Sequence, residues 1–189
     1  AKGQYIKMSA TIDENEAEDE DLLIMNRRYH FKDLPVPYKI IIPSFLHKFY
    51  LIYYMIKMKR KKKKVLIYVP SIKMVDEIVI LMRKLHFCIE GIHSKTTDSI
   101  SLLNSIREGN LDALVCTTIL ERGITIRDIQ VIVVNAHHQV FDSRTLIQIA
   151  GRVGRKPDAY RGDVCFLAAY NTREMKRCIY SIKKLNKNV

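Results

Sequence analysis

The sequence predicts an α/β fold with a mainly parallel sheet and helices on both faces. From residue 64 onward, short β-branched runs alternate with helical stretches, which implies strands joined by crossover helices. The strand candidates are apolar along their length, as is typical of strands buried on both sides of a parallel sheet. The length of 189 residues allows one good core with a small appendage.

Each element is predicted from an apolar run or a helical period and from the residues that begin and end it. The strands are predicted at 65–69, 87–92, 113–116, 131–134 and 164–168. The helices are predicted at 44–59, 72–85, 98–108, across 148–155, and at 172–185. Ser71 is the expected N-cap of the second helix, and Gly109 is expected to end the third. Cys116 and Cys165 lie inside apolar runs and are predicted to be core residues.

The beginning of the chain does not follow this alternation, which predicts two parts. Residues 1–35 contain a possible strand at 5–8, an acidic run at 13–21 and a proline-rich connector at 34–37. We therefore expect 1–35 to be the tail of one unit plus a linker, and 36–189 to be a complete second unit.

Composition indicates a polyanionic partner inside the cell. The formal net charge is +12, which points most often to nucleic acid, although the basic run at 57–64 alone is more typical of a solvated segment. The four cysteines are far apart, which argues against a local zinc site or a disulfide scaffold and fits a reducing cytosol. No metal site is predicted. No apolar run approaches the roughly 20 residues of a membrane span, and no targeting segment is recognised.

The segment 148–155 is the most informative one, because it places a glutamine, two glycines and two arginines within eight residues. On a continuous helix, Gln148, Arg152 and Arg155 would project from one face. Glycine inside a helix costs roughly 1 kcal/mol relative to alanine, so two glycines suggest close approach of a phosphate or another surface. Paired guanidinium groups suit a dispersed anionic charge. The alternative is a surface helix with solvated arginines.

A second candidate site directly follows the third predicted strand. In parallel α/β sheets, ligands bind beyond the carboxyl ends of the strands. Thr117 and Thr118 could bond phosphate oxygens there and position a nucleic-acid backbone. The alternative is an ordinary helix cap.

Together these segments resemble the second RecA-like domain of superfamily 2 helicases. Residues 8–11 resemble the Ser-Ala-Thr motif that ends the first RecA-like domain, and residues 68–71 resemble the motif that opens the second. Residues 117–125 resemble the fifth motif, and residues 148–155 resemble the sixth.

The resemblance implies an ATP-dependent helicase or translocase, with ATP and Mg²⁺ held mainly by a first RecA-like domain and single-stranded DNA as a partner. It implies a catalytic set with two arginine fingers, Arg152 and Arg155, together with Gln148. It also implies nucleotide contacts from Gly123, Thr125 and both arginines, and nucleic-acid contacts from Thr117, Thr118, Ser71 and Ser94. For Ser94, packing within its loop is an equal alternative.

Within superfamily 2 the chain is most similar to the ComFA family of bacterial competence translocases, relatives of PriA. The segments that carry this similarity lie at 28–30, 34–37, 117–123 and 148–155. The family implies competence DNA-uptake proteins as partners and a cytoplasmic location, including the inner face of the membrane. A PriA-like helicase, an RNA helicase and a stand-alone basic nucleic-acid-binding module remain alternatives. The phosphate-binding loop and the Asp-Glu metal box are not recognised, so we expect no useful ATP hydrolysis by this chain alone.

Overall fold

The structure is a computed structural model that describes residues 32–118 and 126–187. Its strands are β1 Tyr38–Ile41, β2 Lys64–Tyr68, β3 Ile89–Ile92, β4 Ala113–Cys116, β5 Ile129–Val134 and β6 Val164–Ala168. Its helices are α1 His47–Arg60, α2 Ile72–Lys84, α3 Ser99–Glu108, α4 Ser143–Ala150 and α5 Arg173–Lys187, and a short 3₁₀ helix, Ser44–Leu46, precedes α1.

The six strands form one sheet in the order β1-β6-β5-β2-β4-β3, and every pairing between neighbours is parallel. The carboxyl ends of all six strands therefore meet at one edge of the sheet, which is called the carboxyl edge below. Parallel strands need crossover connections, and helices supply them here.

Two apolar clusters cover the two faces of the sheet, because successive side chains of a strand point to opposite sides. On β2, Val65 and Ile67 join the cluster formed with α1 and α2. The intervening Leu66 and Tyr68 join the cluster formed with α3, α4 and α5. The predicted helices on both faces are confirmed, as is the burial of both core cysteines.

The segment that leads into β1 is tied to the last helix. The amide N–H of Leu34 donates to Oδ1 of Asn186 at 2.9 Å, and the carbonyl of Leu34 accepts a hydrogen bond from Nδ2 of Asn186 at 2.9 Å. Four residues later β1 begins and pairs along its whole length with β6. Leu34, the first residue of the connector predicted at 34–37, is therefore hydrogen-bonded to α5.

The predicted strands at 113–116 and 164–168 match β4 and β6, and the other predicted elements differ mainly at their ends. β1 was not predicted. Only the short and mostly apolar segment 42–46 lies between β1 and α1, so the hydrophobic pattern does not clearly separate the strand from the helix.

The helix predicted across 148–155 is wrong at its C-terminal end, because α4 ends at Ala150. Gly151 is the C-cap residue, and the chain continues as turns through Gly154, whose φ is +71°. A left-handed residue cannot continue a right-handed helix, so Gln148, Arg152 and Arg155 do not share one helix face. The two glycines end the helix and do not lie within it.

Several predictions fall outside the described residues. These are the strand at 5–8, the Ser-Ala-Thr motif at 8–11 and most of the fifth motif, 119–125. Among the described helices, none has the length and apolar character needed to cross a membrane.

Candidate nucleotide and nucleic-acid site

The predicted nucleic-acid contacts lie at the ends of three neighbouring strands. Ser71 follows β2, Ser94 follows β3, and Thr117 and Thr118 follow β4. Because these strands are adjacent in the order β2-β4-β3, the four side chains share one half of the carboxyl edge. The parallel topology and the strand order bring them together.

Two of these residues are exposed and lie where a backbone phosphate could reach them. Ser71 is the N-cap of α2, and its hydroxyl accepts a hydrogen bond from the Met74 amide at 3.3 Å. Ser94 is exposed in the turn after β3, next to His93, whose amide donates to Oγ1 of Thr96 at 3.0 Å. The predicted N-cap role of Ser71 is confirmed.

Thr117 differs from both serines because it is only 8% exposed. Its Oγ1 atom is buried and has no hydrogen-bond partner within 32–118 and 126–187. A buried polar atom without a partner costs roughly 1–3 kcal/mol. A ligand or chain group that bonds this hydroxyl would remove that cost.

Arg152 and Arg155 lie near the same strand ends, although they are in the turns after α4. Arg152 is only 6% exposed, and its charge acts on the thiol of Cys116, the residue before Thr117. Arg155 is half-buried, and its Nε donates to the carbonyl of Gly151 at 3.0 Å. The arginine turn and the end of β4 therefore form one neighbourhood.

The electrostatics of this neighbourhood favour an anion. Burial lowers the pKa of Arg155, the nearby positive charge of Arg152 lowers it further, and Tyr68 acts in the opposite direction. Two like charges that are partly removed from water repel each other, so an anion placed between them would be stabilised by both.

Of the other predicted site residues, Gln148 alone lies among the described residues. Gln148 is half-buried on α4, before the turn that carries the arginines. Gly123 and Thr125, the predicted nucleotide contacts, lie outside the described residues. Within the described ranges, no group of three or more His, Cys, Asp or Glu side chains is arranged to hold a metal ion.

Tyr68 lies at the site, although its only part in the site predictions is membership of the motif at 68–71. It is the last residue of β2 and pairs in register with Cys116, whose buried thiol donates to the carbonyl of Ile67 at 3.7 Å. Burial is the main effect on that thiol and raises its pKa, while Tyr68 and Arg152 oppose the shift. The available signal was a polar aromatic residue at the carboxyl end of an otherwise aliphatic strand.

Comparison with solved structures supports the same fold. Dbp5 of S. cerevisiae, bound to RNA and ADP BeF3, aligns with a TM-score of 0.66 at 17% identity, over 96% of this chain and 48% of that one. The RecA-like α/β fold is therefore confirmed.

Two relatives share more of the sequence. Competence protein ComFA of Streptococcus pneumoniae is 34% identical over 175 residues, which is 87% of this chain and 40% of that protein. ComFA of Bacillus subtilis is 31% identical over 127 residues, 67% of this chain and 27% of that protein. The chain thus spans less than half the length of either relative.

The family described as helicase conserved C-terminal domain matches residues 47–157. This match runs from the first residue of α1 through the arginine turn, and so includes Ser71, Ser94, Thr117 and Arg155. Since it covers more than half of the sequence, the chain belongs to the helicase conserved C-terminal domain family.

Proposed function

We propose that the chain is the C-terminal motor domain of an ATP-dependent translocase that moves single-stranded DNA into the cell during competence. Membership of the helicase family and the similarity to two competence proteins support this proposal. The Ser71, Ser94 and Thr117 strand ends would form its part of the nucleic-acid path.

The observation that carries the proposal is the position of the two arginines beside the end of β4. Arg152 is buried, Arg155 is half-buried, and the hydroxyl of Thr117 nearby lacks a partner within the described residues. These groups fit an anionic phosphate, because two neighbouring cations and a buried hydroxyl without a partner among the described residues could all bind the same ligand.

In this proposal ATP, held with Mg²⁺ mainly by a first RecA-like domain, supplies the phosphoryl group that is transferred to water. Arg155 would neutralise negative charge that grows on the transferred group, and Arg152 would hold the turn in place and add positive potential. The hydrogen bond from Arg155 to Gly151 pre-orients the guanidinium, so little freedom is lost when the site closes. Gly123 and Thr125 remain proposed nucleotide contacts, and Gln148 remains a proposed member of the catalytic set.

Domain closure would couple this chemistry to movement. Closing brings the arginines to the nucleotide, and reopening after hydrolysis shifts the strand held at the carboxyl edge. The chain alone would have the arginines without the phosphate-binding loop, so we expect it to hydrolyse ATP only when joined to that first domain.

The test is Arg155→Ala in the full-length protein, with DNA-stimulated ATP hydrolysis as the measurement. Loss of an arginine finger typically lowers the rate by about 10³-fold or more, and we expect a loss of that order. DNA affinity should change little, because Arg155 is assigned to the nucleotide and not to the strand.

Arg177→Ala is the matched control, since Arg177 is an exposed arginine on α5 that pairs with Glu174 at 3.6 Å. It should leave hydrolysis unchanged. Normal hydrolysis by the Arg155→Ala protein would rule out the finger assignment.

A further inference from the structure

The other half of the carboxyl edge, at the ends of β1, β6 and β5, carries three neighbouring aromatic rings, those of His47, His137 and Tyr170. The His47 and His137 rings meet edge-on with centroids 6.1 Å apart, and the His137 and Tyr170 rings lie 4.8 Å apart. Exposure rises outward along the set: His47 is 2% exposed, His137 is half-buried and Tyr170 is 59% exposed. The outermost ring thus offers much of its surface to solvent while the inner rings support it.

Hydrogen bonds to the strand ends fix the two inner rings. Nε2 of His47 donates to the carbonyl of Ile42 at 3.0 Å, and Nδ1 of His47 lies 2.5 Å from Oδ1 of Asn135. Asn135 has a φ of +56°, a conformation that asparagine tolerates better than most residues. The amide of Ala169 donates to Nδ1 of His137 at 3.2 Å. The support beneath Tyr170 is therefore anchored to β1, β5 and β6 together.

The charges around these three rings suit a polyanion, and the surroundings of His137 favour its uncharged form. Burial lowers the pKa of His137 below the usual value for histidine, and the nearby His47 and His138 lower it further, which favours the uncharged ring. Exposed arginines begin the adjacent helices, at the first residue of α5, Arg173, and the second of α4, Arg144.

Two acidic residues near these rings, Asp142 and Glu174, already accept hydrogen bonds from backbone amides. The carboxylate of Asp142 accepts the Thr145 amide at 2.7 Å, and that of Glu174 accepts the Ser143 amide at 2.9 Å. Both carboxylates thus have backbone amide partners at the N-terminus of α4.

We propose that Tyr170, backed by His137, is a stacking platform for an unpaired base of a single nucleic-acid strand that crosses the carboxyl edge. The inference rests on the nucleic-acid role proposed above and extends the path from β3, β4 and β2 to β5 and β6. Every base has a ring face, so such a platform holds a strand regardless of its sequence.

The exposed surface of the Tyr170 ring by itself is of the size of one base and well below that of a protein interface. A stable protein interface buries about 800 Å² on each side, whereas an aromatic side chain offers about 150–250 Å². The exposed face of Tyr170, with Arg173 and Arg144 at the starts of the adjacent helices, suits the dimensions and charge of a single nucleotide.

The test measures the affinity of the 189-residue chain for two labelled strands of equal length by fluorescence anisotropy. One strand is oligothymidine, and the other has the same phosphates but abasic sugars. Tyr170→Ala should weaken binding of oligothymidine about tenfold, because stacking on one aromatic residue contributes about 1–3 kcal/mol. It should not change binding of the abasic strand, and Tyr170→Phe should keep the affinity within about twofold of the wild type.

Tyr180→Ala is the matched control, since Tyr180 is a 69% exposed tyrosine on α5, well beyond the α5 start at the carboxyl edge. Its affinity should equal that of the wild type. Thermal unfolding of each variant checks the fold, and the exposure of Tyr170 predicts an unchanged midpoint.

Three results would overturn the platform: equal oligothymidine binding by wild type and Tyr170→Ala, an equal loss for the abasic strand, or the absence of base-dependent binding. Loss of ATP binding by Tyr170→Ala, with unchanged strand binding, would assign the ring to a free nucleotide instead. The readout needs no hydrolysis, so it is separate from the Arg155→Ala test. The binding experiment can therefore contradict the stacking proposal while the hydrolysis experiment supports the motor proposal, and the opposite outcome can also be measured.

Discussion

At the scale of single residues, Gly154 sets a left-handed backbone between the two arginines. Its φ of +71° ends the continuation of α4, and a Cβ built on it would lie 2.3 Å from the carbonyl oxygen of Tyr160. Both the backbone conformation and the space require glycine at this position. The residue between the two arginines is therefore part of the site's construction, although it offers no side chain to a ligand.

We predict that Gly154→Ala lowers the free energy of unfolding by at least about 2 kcal/mol, since the left-handed conformation costs about 1–2 kcal/mol and the clash adds to it. Urea unfolding followed by circular dichroism measures the change. Gly151→Ala is the control, because Gly151 has a right-handed backbone and its nearest contacts are 3.2 Å or longer. Equal losses for both variants would contradict the explanation.

The site could be predicted from the sequence only where a local pattern defines it. Thr117 follows an apolar strand, so its place at the carboxyl edge could be read directly. The contact between Tyr68 and Cys116 depends on the register of β2 against β4, which no local pattern reveals. The platform beneath Tyr170 joins residues 47, 137 and 170, and only the strand order brings them together.

At the scale of elements, α4 is the connection between β5 and the arginine turn. It has only eight residues, and its start is fixed by Asp142, whose Oδ1 accepts the Thr145 amide at 2.7 Å. Leu146, Ile149 and Ala150 bury its inner face. In so short a helix, the N-cap contributes a large share of the local stability.

We predict that Asp142→Ala lowers the free energy of unfolding by about 1 kcal/mol, whereas Asp142→Asn keeps most of it because asparagine is an equally good cap. Chemical denaturation of both variants is the measurement. A loss of equal size in the asparagine variant would show that the carboxylate charge matters and the cap does not.

Element prediction succeeded where burial alone determines the strand and failed where two elements share one apolar stretch. β4 is buried at all four positions and is bounded by polar residues, so its ends were clear. β1 shares an apolar stretch with α1, and its pairing with β6 spans more than 120 residues of sequence. A strand defined by such a distant partner leaves little local signal.

At the scale of the whole molecule, the net charge of +12 predicts strong salt dependence of nucleic-acid binding. Each phosphate neutralised on a single strand contributes about −0.7 to the slope of log affinity against log salt concentration. Oligothymidine binding should be titrated at salt concentrations from about 50 to 200 mM. We expect a clearly negative slope of log affinity against log salt concentration for the wild type.

The same titrations distinguish the electrostatic contribution to the oligothymidine affinity from the contribution of base stacking. Tyr170→Ala should lower the affinity at every salt concentration without changing the slope, because no cation is lost. Affinity that is independent of salt would contradict a role for the basic surface.

The two hydrogen bonds between Leu34 and Asn186 have a mechanical consequence. Tension on the chain ahead of Leu34 would load both of these hydrogen bonds together, before it reaches the four register pairs of β1 with β6. Bonds loaded together resist far more tension than bonds opened one after another. Displacement of the chain ahead of Leu34 is therefore passed to α5, which carries Asn186, before it reaches the sheet.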